Sequence, residues 1–156
     1  MSVFSVTVAK NEHDVEQADV CYHAANMFLM HSTDTFRGFL KLANARINNV
    51  TSSESCLFVG KWKGQVVATA YVESPGLLLY VSVLPTFQQK GMASLMLEAC
   101  HEWAAEHGLK SVTAEVYVGN TQAFSLYHNN GYKLIKTEEN VEDDEKPWHV
   151  FTKQIN

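Results

Sequence analysis

The sequence is poor in the features that mark nucleic-acid-binding, secreted and membrane proteins. Its 156 residues include 12 Lys and Arg against 17 Asp and Glu, a formal net charge of −5. With no basic stripe visible, this balance argues against nucleic-acid binding. No apolar run approaches the ~18 residues that would cross a membrane, and the first residues lack a signal peptide's basic stretch and apolar core. We therefore expect a cytoplasmic protein with no membrane or nucleic-acid partner.

Cysteine is also scarce, and its placement predicts no metal. The three cysteines, Cys21, Cys56 and Cys100, lie inside apolar patterns, and no metal-ligand spacing is present. We expect buried, reduced thiols, which suit a reducing cytosol. The length predicts one domain spanning residues 1–156, which can bury about two thirds of its unfolded surface.

The most informative stretch is 85–93, which reads Pro-Thr-Phe-Gln-Gln-Lys-Gly-Met-Ala. It follows a strongly apolar run typical of a buried strand and precedes a helical pattern from about Gly91 to His107. The first N–H groups of a helix lack intrahelical partners and the helix dipole is positive there, so this turn can cradle phosphate. Lys90 adds a positive charge. The glycine-rich fingerprints of dinucleotide and ATP sites are absent, which leaves an ordinary strand-to-helix turn as the alternative.

Two blocks of this sequence carry motifs with fixed spacing. Residues 88–93 read Gln-x-x-Gly-x-Ala and follow a Val-x-Pro lead-in at 83–85. Residues 120–132 read Asn-x-x-Ala-x-x-x-Tyr-x-x-x-Gly-Tyr. The two blocks resemble the first and second signature blocks of the GNAT superfamily of N-acetyltransferases. The resemblance covers roughly residues 56–155, and the N-terminal third carries no signature.

The resemblance implies an α/β fold of the GNAT type. Its central sheet is mostly antiparallel, with six to seven strands and one parallel pair splayed at the acetyl-CoA site, and about four helices flank it. Residue patterns predict strands over 3–8, 56–62, 65–73, 78–83, 111–117, 132–137 and 148–154, with Lys63–Gly64 as the hairpin turn between the second and third. They predict helices over 15–29, 36–47 and 91–107, a short helix that is capped by Asn120 and stops at Gly131, and a loop over 48–55. The long helix should bury Met92, Leu95, Met96, Ala99, Cys100 and Trp103.

The resemblance also implies acetyl-CoA as co-substrate and a primary amine as acceptor, which attacks the thioester directly. Main-chain groups of the turn would bind the pyrophosphate, and the pantetheine arm would lie in the gap between the two parallel strands. An N–H of the first of these strands could stabilise the oxyanion. The residues expected at the cofactor are Val81, Val83, Gln88, Gln89, Lys90, Gly91, Met92, Ala93, Ser94, Asn120, Ala123 and Tyr127.

Three residues are candidates for the chemistry. Tyr127 matches the family tyrosine that faces the sulfur of the leaving thiolate; a core tyrosine is the alternative. Many family members carry a glutamate on the strand before the phosphate turn, but residues 77–83 contain no carboxylate. Glu115 resembles the general base of ribosomal-protein alanine acetyltransferases, Glu73 is the second choice, and water can relay a proton to either. A surface glutamate is the alternative reading of Glu115.

The acceptor is constrained only by chemistry and charge. A lysine-like amine costs about 4.6 kcal/mol to deprotonate at pH 7 and an α-amine only about 1 kcal/mol, so a base matters more for the former. The acidic run Glu138, Glu139, Glu142, Asp143, Asp144 and Glu145 is either a solvated loop or an attractor of cationic amines.

We therefore favour a small cationic amine or polyamine over a protein as the acceptor. Protein N-terminal or lysine acetylation is the alternative within the class, and a non-catalytic acyl-CoA-binding or sensing module is the alternative outside it. A third alternative, nucleotide binding at the Gly91 turn, lacks the lysine–serine and acidic residues that ATP–Mg²⁺ sites need. The resemblance also makes a homodimer reasonable.

Overall fold

Seven strands form a single sheet in the computed structural model, which describes residues 3–25, 47–138 and 147–155. The strand order is β1-β2-β3-β4-β5-β7-β6, and every neighbouring pair is antiparallel except the parallel pair β4 and β5. This arrangement confirms the predicted fold class. The strands are β1 (Phe4–Val8), β2 (Ser55–Trp62), β3 (Gln65–Glu73), β4 (Leu77–Val83), β5 (Ser111–Tyr117), β6 (Lys133–Glu138) and β7 (Trp148–Gln154).

The helices of the described residues are α1 (Glu12–Ala25), the single turn α2 (Ile47–Val50), α3 (Met92–Glu106) and α4 (Thr121–Asn129). The helix predicted over 36–47 lies outside the described residues except for Ile47, as do residues 26–29. The loop predicted over 48–55 is wrong at both ends: Val50 ends a helical turn, and Ser55 begins β2. Burial explains the first error, because Val50 packs into the core beside Leu57.

The two faces of the sheet pack against different helices. Side chains alternate along a strand, so Ala70 and Val72 of β3 join a core with Met96 of α3, whereas Tyr71 between them joins a core with Ala18 of α1. No described helix has the length and apolar character needed to span a membrane.

The buried face of α3 differs from the prediction at Leu95 and Leu97. Leu95 was expected in the core and is 46% exposed, whereas Leu97 is fully buried. The reason is that the buried stripe is centred between Met96 and Cys100, which places Leu97 on its flank and Leu95 further round the helix. Cys100, like Cys21 and Cys56, is buried with a free thiol, as predicted.

The sheet opens between its two parallel strands. β4 and β5 pair only at Leu77 and Thr113, and beyond that point the strands diverge. The divergence coincides with an irregularity in the pairing of β4 with β3, next to Tyr80, whose φ of 55° lies in the left-handed region. The predicted splay is therefore present, and it leaves a gap in the sheet between β4 and β5.

Candidate active site

A cavity of about 490 Å³ opens where β4, the turn after it, α3 and α4 meet. All of the predicted cofactor residues except Lys90 and Tyr127 line it, namely Val81, Val83, Gln88, Gln89, Gly91, Met92, Ala93, Ser94, Asn120 and Ala123. β4 contributes one wall of the cavity and the helix ends contribute the others. The cavity therefore runs from the turn before α3 to the gap in the sheet.

The turn before α3 exposes bare backbone to this cavity. Gln89 has φ 62° and Gly91 has φ 80°, both left-handed, and such alternation turns successive N–H groups toward one side to form an anion nest. Gly91 is the N-cap residue of α3 and provides no side-chain cap. A Cβ built on Gly91 would meet nothing within 4 Å. The first N–H groups of α3, with the positive end of its dipole, are therefore free to bind a diphosphate.

Two side chains of the turn are not aimed at an anion. The Gln88 Nε2 donates a hydrogen bond to the Val83 carbonyl oxygen at 2.9 Å. The exposed Lys90 places its Nζ 5.9 Å from the centroid of the Phe87 ring. The main chain, rather than these side chains, is therefore the part of the turn that is open to an anion.

α4 forms the opposite wall and is fixed at both ends. Asn120 Oδ1 accepts a hydrogen bond from the Ala123 N–H at 3.2 Å, which confirms the predicted cap. Asn130, just after the helix, donates from Nδ2 to the Leu126 carbonyl oxygen at 2.7 Å and to Ser94 Oγ at 3.2 Å. This contact ties the end of α4 to the first turn of α3.

The sequence interpretation missed several residues of this wall. Gln122, Ser125, Leu126 and Asn129 line the cavity as well, and Asn130 connects the two helices. The first four are spaced by three and four residues, so a helical projection through Ala123 could have found them. The role of Asn130 depends on a residue 36 positions away and has no local signal.

Tyr127 is 6% exposed, belongs to the core on the α3 side of the sheet, and is not among the described residues that line the cavity. Its ring packs edge-on against Tyr132, with centroids 5.0 Å apart, and at 5.9 Å from Phe151. None of the hydrogen bonds among the described residues uses its hydroxyl. Burial raises the pKa of Tyr127, and Cys100 and Tyr22 add to the rise.

Both candidate carboxylates lie on the face opposite to α3. Glu115 is exposed and alternates with the buried Ala114 and Val116, which pack on the α3 side. Glu73 is half-buried and accepts a hydrogen bond from the Tyr71 hydroxyl at 2.6 Å. They are not adjacent, because Glu73 ends β3 whereas Glu115 lies two strands away on β5, just past the last β4–β5 pair.

Of the acidic run, Glu138 is paired with Lys136 at 2.6 Å, and residues 139–145 lie outside the described ranges.

A sheet opened between two parallel strands, with an uncapped helix N-terminus beside the opening, has the architecture of an acyl-CoA-dependent transferase. The model of the GNAT acetyltransferase family matches residues 22–132. Because the match covers more than half of the chain, the protein belongs to this family of acyltransferases. A comparison with curated proteins by sequence gave no match.

Solved structures share the whole fold. An acetyltransferase from Streptococcus agalactiae superposes with a TM-score of 0.77 at 11% identity over 99% of both chains. The ribosomal-protein-S18-alanine N-acetyltransferase from Escherichia coli gives 0.73 at 18% identity, over 97% of this chain and 94% of that one. An acetyltransferase from Salmonella typhimurium, solved with its cofactor acetyl-CoA, gives 0.71 at 14% identity, over 99% of this chain and 95% of that one. At these identities the likeness concerns the fold alone.

Proposed function

We propose that this protein transfers the acetyl group of acetyl-CoA to a primary amine, by direct attack of the amine on the thioester, and that a small cationic amine or polyamine is the acceptor. The observation that carries the proposal is the uncapped N-terminus of α3, where Gly91 leaves open space in front of the first N–H groups. The same cavity continues to Val81 at the gap in the sheet.

The chain's own groups account for cofactor binding. Backbone N–H groups from Gln88 to Ser94 would hold the diphosphate, and each charge-assisted contact contributes roughly 1.5–3 kcal/mol. The pantetheine arm would lie along β4. The N–H of Leu84 donates to the Val67 carbonyl oxygen of β3, so the N–H of Val83, one residue earlier, points toward the gap. Gln88 already occupies the Val83 carbonyl oxygen, which leaves that N–H and the groups of Val81 for the cofactor.

The acceptor amine would approach from the α1 face, where Glu115 and Glu73 lie. One of these carboxylates, directly or through a water molecule, removes the proton that must leave the amine. The amine nitrogen then bonds to the thioester carbon, and the Val81 N–H stabilises the oxyanion. The carbon–sulfur bond breaks, and the second proton lost by the nitrogen passes through water to the thiolate, which leaves as the CoA thiol. The raised pKa of Tyr127 makes complete proton transfer to the thiolate unfavourable, so Tyr127 acts as a hydrogen-bond donor to the developing charge on sulfur.

A panel of amines tests the proposal. Thiol release from acetyl-CoA should accelerate with spermidine-like or diamine acceptors, and mass spectrometry should find one acetyl group on the amine. If cationic acceptors are attracted by the acidic run, their KM should rise steeply with salt, whereas a flat response would remove that part of the proposal. Failure of the protein to bind CoA in calorimetry would contradict the whole assignment.

Two competing functions have a specific observation behind them. Glu115, beside the gap and five residues before Asn120, favours N-terminal acetylation of a protein, and a peptide with a free N-terminal alanine tests it. The absence of a carboxylate from β4 favours a non-catalytic acyl-CoA sensor, which would bind acetyl-CoA and transfer nothing to any amine.

A cytoplasmic setting and a homodimer belong to our proposal as well, the former because buried free thiols suit a reducing compartment.

A further inference from the structure

The backbone of β4 is distorted at one residue beside the gap. Tyr80 has φ 55°, a conformation that bulky side chains rarely adopt. The pairing with β3 passes from Thr69 opposite Ser82 to Tyr71 opposite Leu79, so Ala70 alone faces both Tyr80 and Val81. This is a β-bulge, which re-aims the peptide groups of the strand that contains it.

A buried pair of hydroxyl groups holds the bulge. The Thr69 Oγ1 donates to the Tyr80 carbonyl oxygen at 2.5 Å and lies 2.7 Å from Ser82 Oγ. Because a carbonyl can only accept, the single hydrogen of Thr69 is used on Tyr80, and the Ser82 hydroxyl must donate to Thr69. Thr69 is fully buried and Ser82 is 7% exposed. Buried hydroxyls are unfavourable unless they are bonded, so the Thr69 hydroxyl favours the backbone conformation that brings the Tyr80 carbonyl oxygen to it.

The orientation of one peptide plane follows from this bond. A peptide group is planar and trans, so its C=O and N–H point in opposite directions. Thr69 holds the Tyr80 carbonyl toward β3, and the N–H of the same peptide, which belongs to Val81, therefore points away from β3. On that side lie the gap and the cavity that Val81 lines.

We propose that Thr69, supported by Ser82, is a positioning residue that fixes the Tyr80–Val81 peptide so that the Val81 N–H faces the thioester carbonyl. This inference rests on the proposed acetyl transfer. Thr69 acts through Tyr80 and touches neither substrate. If the Thr69 hydroxyl is removed, the Tyr80 carbonyl oxygen loses its buried hydrogen-bond partner. The left-handed conformation of Tyr80 then loses the interaction that offsets its strain.

Two variants of Thr69 separate the effect of its hydroxyl group from the effect of its packing. Thr69→Val removes the hydroxyl and keeps the branched shape, whereas Thr69→Ser keeps the hydroxyl. We expect Thr69→Val to lower kcat about 10- to 100-fold, approaching the loss of an oxyanion donor, with little change in the KM for either substrate. Thr69→Ser should restore most of kcat. Ser82→Ala, which leaves Thr69 without its donor, should give an intermediate loss and serves if Thr69→Val does not fold.

A control separates positioning from general destabilisation. Ile155→Ala removes buried volume after β7, from a core cluster that does not contain Tyr80, and should lower Tm without lowering kcat. Wild-type kcat in Thr69→Val would overturn the proposal. So would equal kcat losses in Thr69→Val, Thr69→Ser and Ile155→Ala at equal loss of Tm.

A second measurement needs no activity. Crystal structures of ligand-free Thr69→Val and Thr69→Ser should show Tyr80 relaxed out of the left-handed region in the first and unchanged in the second. If wild-type protein acetylates no amine, the proposed function fails, while these structures still decide whether Thr69 holds the bulge. A Thr69→Val structure with the bulge intact would refute the positioning role.

Discussion

The side-chain amide of Gln88 donates a hydrogen bond to the carbonyl oxygen of Val83, with 2.9 Å between the two atoms. Gln88 belongs to the turn that exposes its backbone to the cavity, and Val83 ends the strand that borders the gap. The bond therefore braces this turn against β4. Gln88 stands where arginine is commoner in the family, and its side chain here makes a hydrogen bond to the protein's own main chain.

Replacing Gln88 with Ala should weaken CoA binding about 2- to 10-fold, since one intramolecular hydrogen bond contributes ~0.5–1.5 kcal/mol. The same variant should lower Tm without any ligand, because the brace exists in the free protein. Isothermal calorimetry and thermal denaturation measure the two effects. Gln65→Ala, at an exposed position of β3, is the control. A loss of affinity with unchanged ligand-free Tm would indicate instead that Gln88 contacts the phosphates.

Gly91 and Gly108 form a matched pair at opposite ends of α3. Both have left-handed φ, 80° and 71°, and a Cβ at either would meet nothing within 4 Å. Alanine at each position should therefore lower the free energy of unfolding by a similar amount, about 1–2 kcal/mol. Only Gly91→Ala should also raise the Kd for CoA, because only its Cβ enters the anion-binding turn. Equal affinities in the two variants would contradict this site.

Tyr127→Phe should lower kcat about 10- to 100-fold, the effect of removing one hydrogen bond to a charged group, and should leave CoA affinity nearly unchanged. Because burial raises the pKa of Tyr127, its hydroxyl keeps its proton throughout the usual assay range. The ratio of wild-type to variant kcat should thus be constant from about pH 6 to 9. Tyr132→Phe, which loses the bond to His101, is the control and should affect Tm alone.

The general base can be identified with two amide substitutions. Glu115→Gln should lower kcat/KM more for a lysine-like amine than for an α-amine, since the former is harder to deprotonate at neutral pH. Glu73→Gln should have the smaller effect, because the Tyr71 hydroxyl already occupies its Oε2. Rates measured against acceptors of graded basicity give the comparison. The reverse ranking would assign the role to Glu73, and two unaffected variants would leave water as the proton acceptor.

His101 should make the protein less stable in mild acid. Its Nε2 lies 2.6 Å from the Tyr132 hydroxyl, and burial, with a contribution from Lys153, lowers the pKa of His101 to about 4. In the unfolded chain histidine titrates near 6.5. Between these values only the unfolded chain binds the proton, so stability falls as pH falls. Allowing for the partial exposure of the ring, the loss should be about 1–2 kcal/mol.

Urea denaturation at pH 7.5 and pH 5 measures this loss. His101→Gln lacks the titrating ring, so the difference between the two pH values should be smaller in the variant than in the wild type. An equally large difference in both proteins would assign the acid sensitivity to other groups.

The sequence predicted the fold well where the information is local. Hydrophobic patterns located the strands, and the pair Lys63–Gly64, with φ of 51° and 83°, forms the predicted hairpin turn, because two left-handed residues in succession suit a two-residue loop. Asn120 caps its helix as predicted. These features depend on a few neighbouring residues, and their chemistry is visible in the sequence.

What the sequence missed depends on contacts between distant segments. Leu95 and Leu97 are chemically identical, and only the position of α3 on the sheet decides that Leu97 is the buried one. The hydroxyl of Thr69 resembles that of any strand threonine until the bulge places the Tyr80 carbonyl against it. The separation of Glu73 from Glu115 likewise follows from the strand order rather than from either local pattern.

The hydrogen bond between Asn130 and Ser94 has a consequence for how a nucleotide enters. It joins the two helices that flank the cleft, so the width of the cleft is already set in the empty protein. Association would therefore immobilise the ligand but order little of the polypeptide, which keeps the entropic cost low. The cofactor would enter a ready-made slot, and its residence time would depend on the strength of its contacts rather than on the closure of a lid.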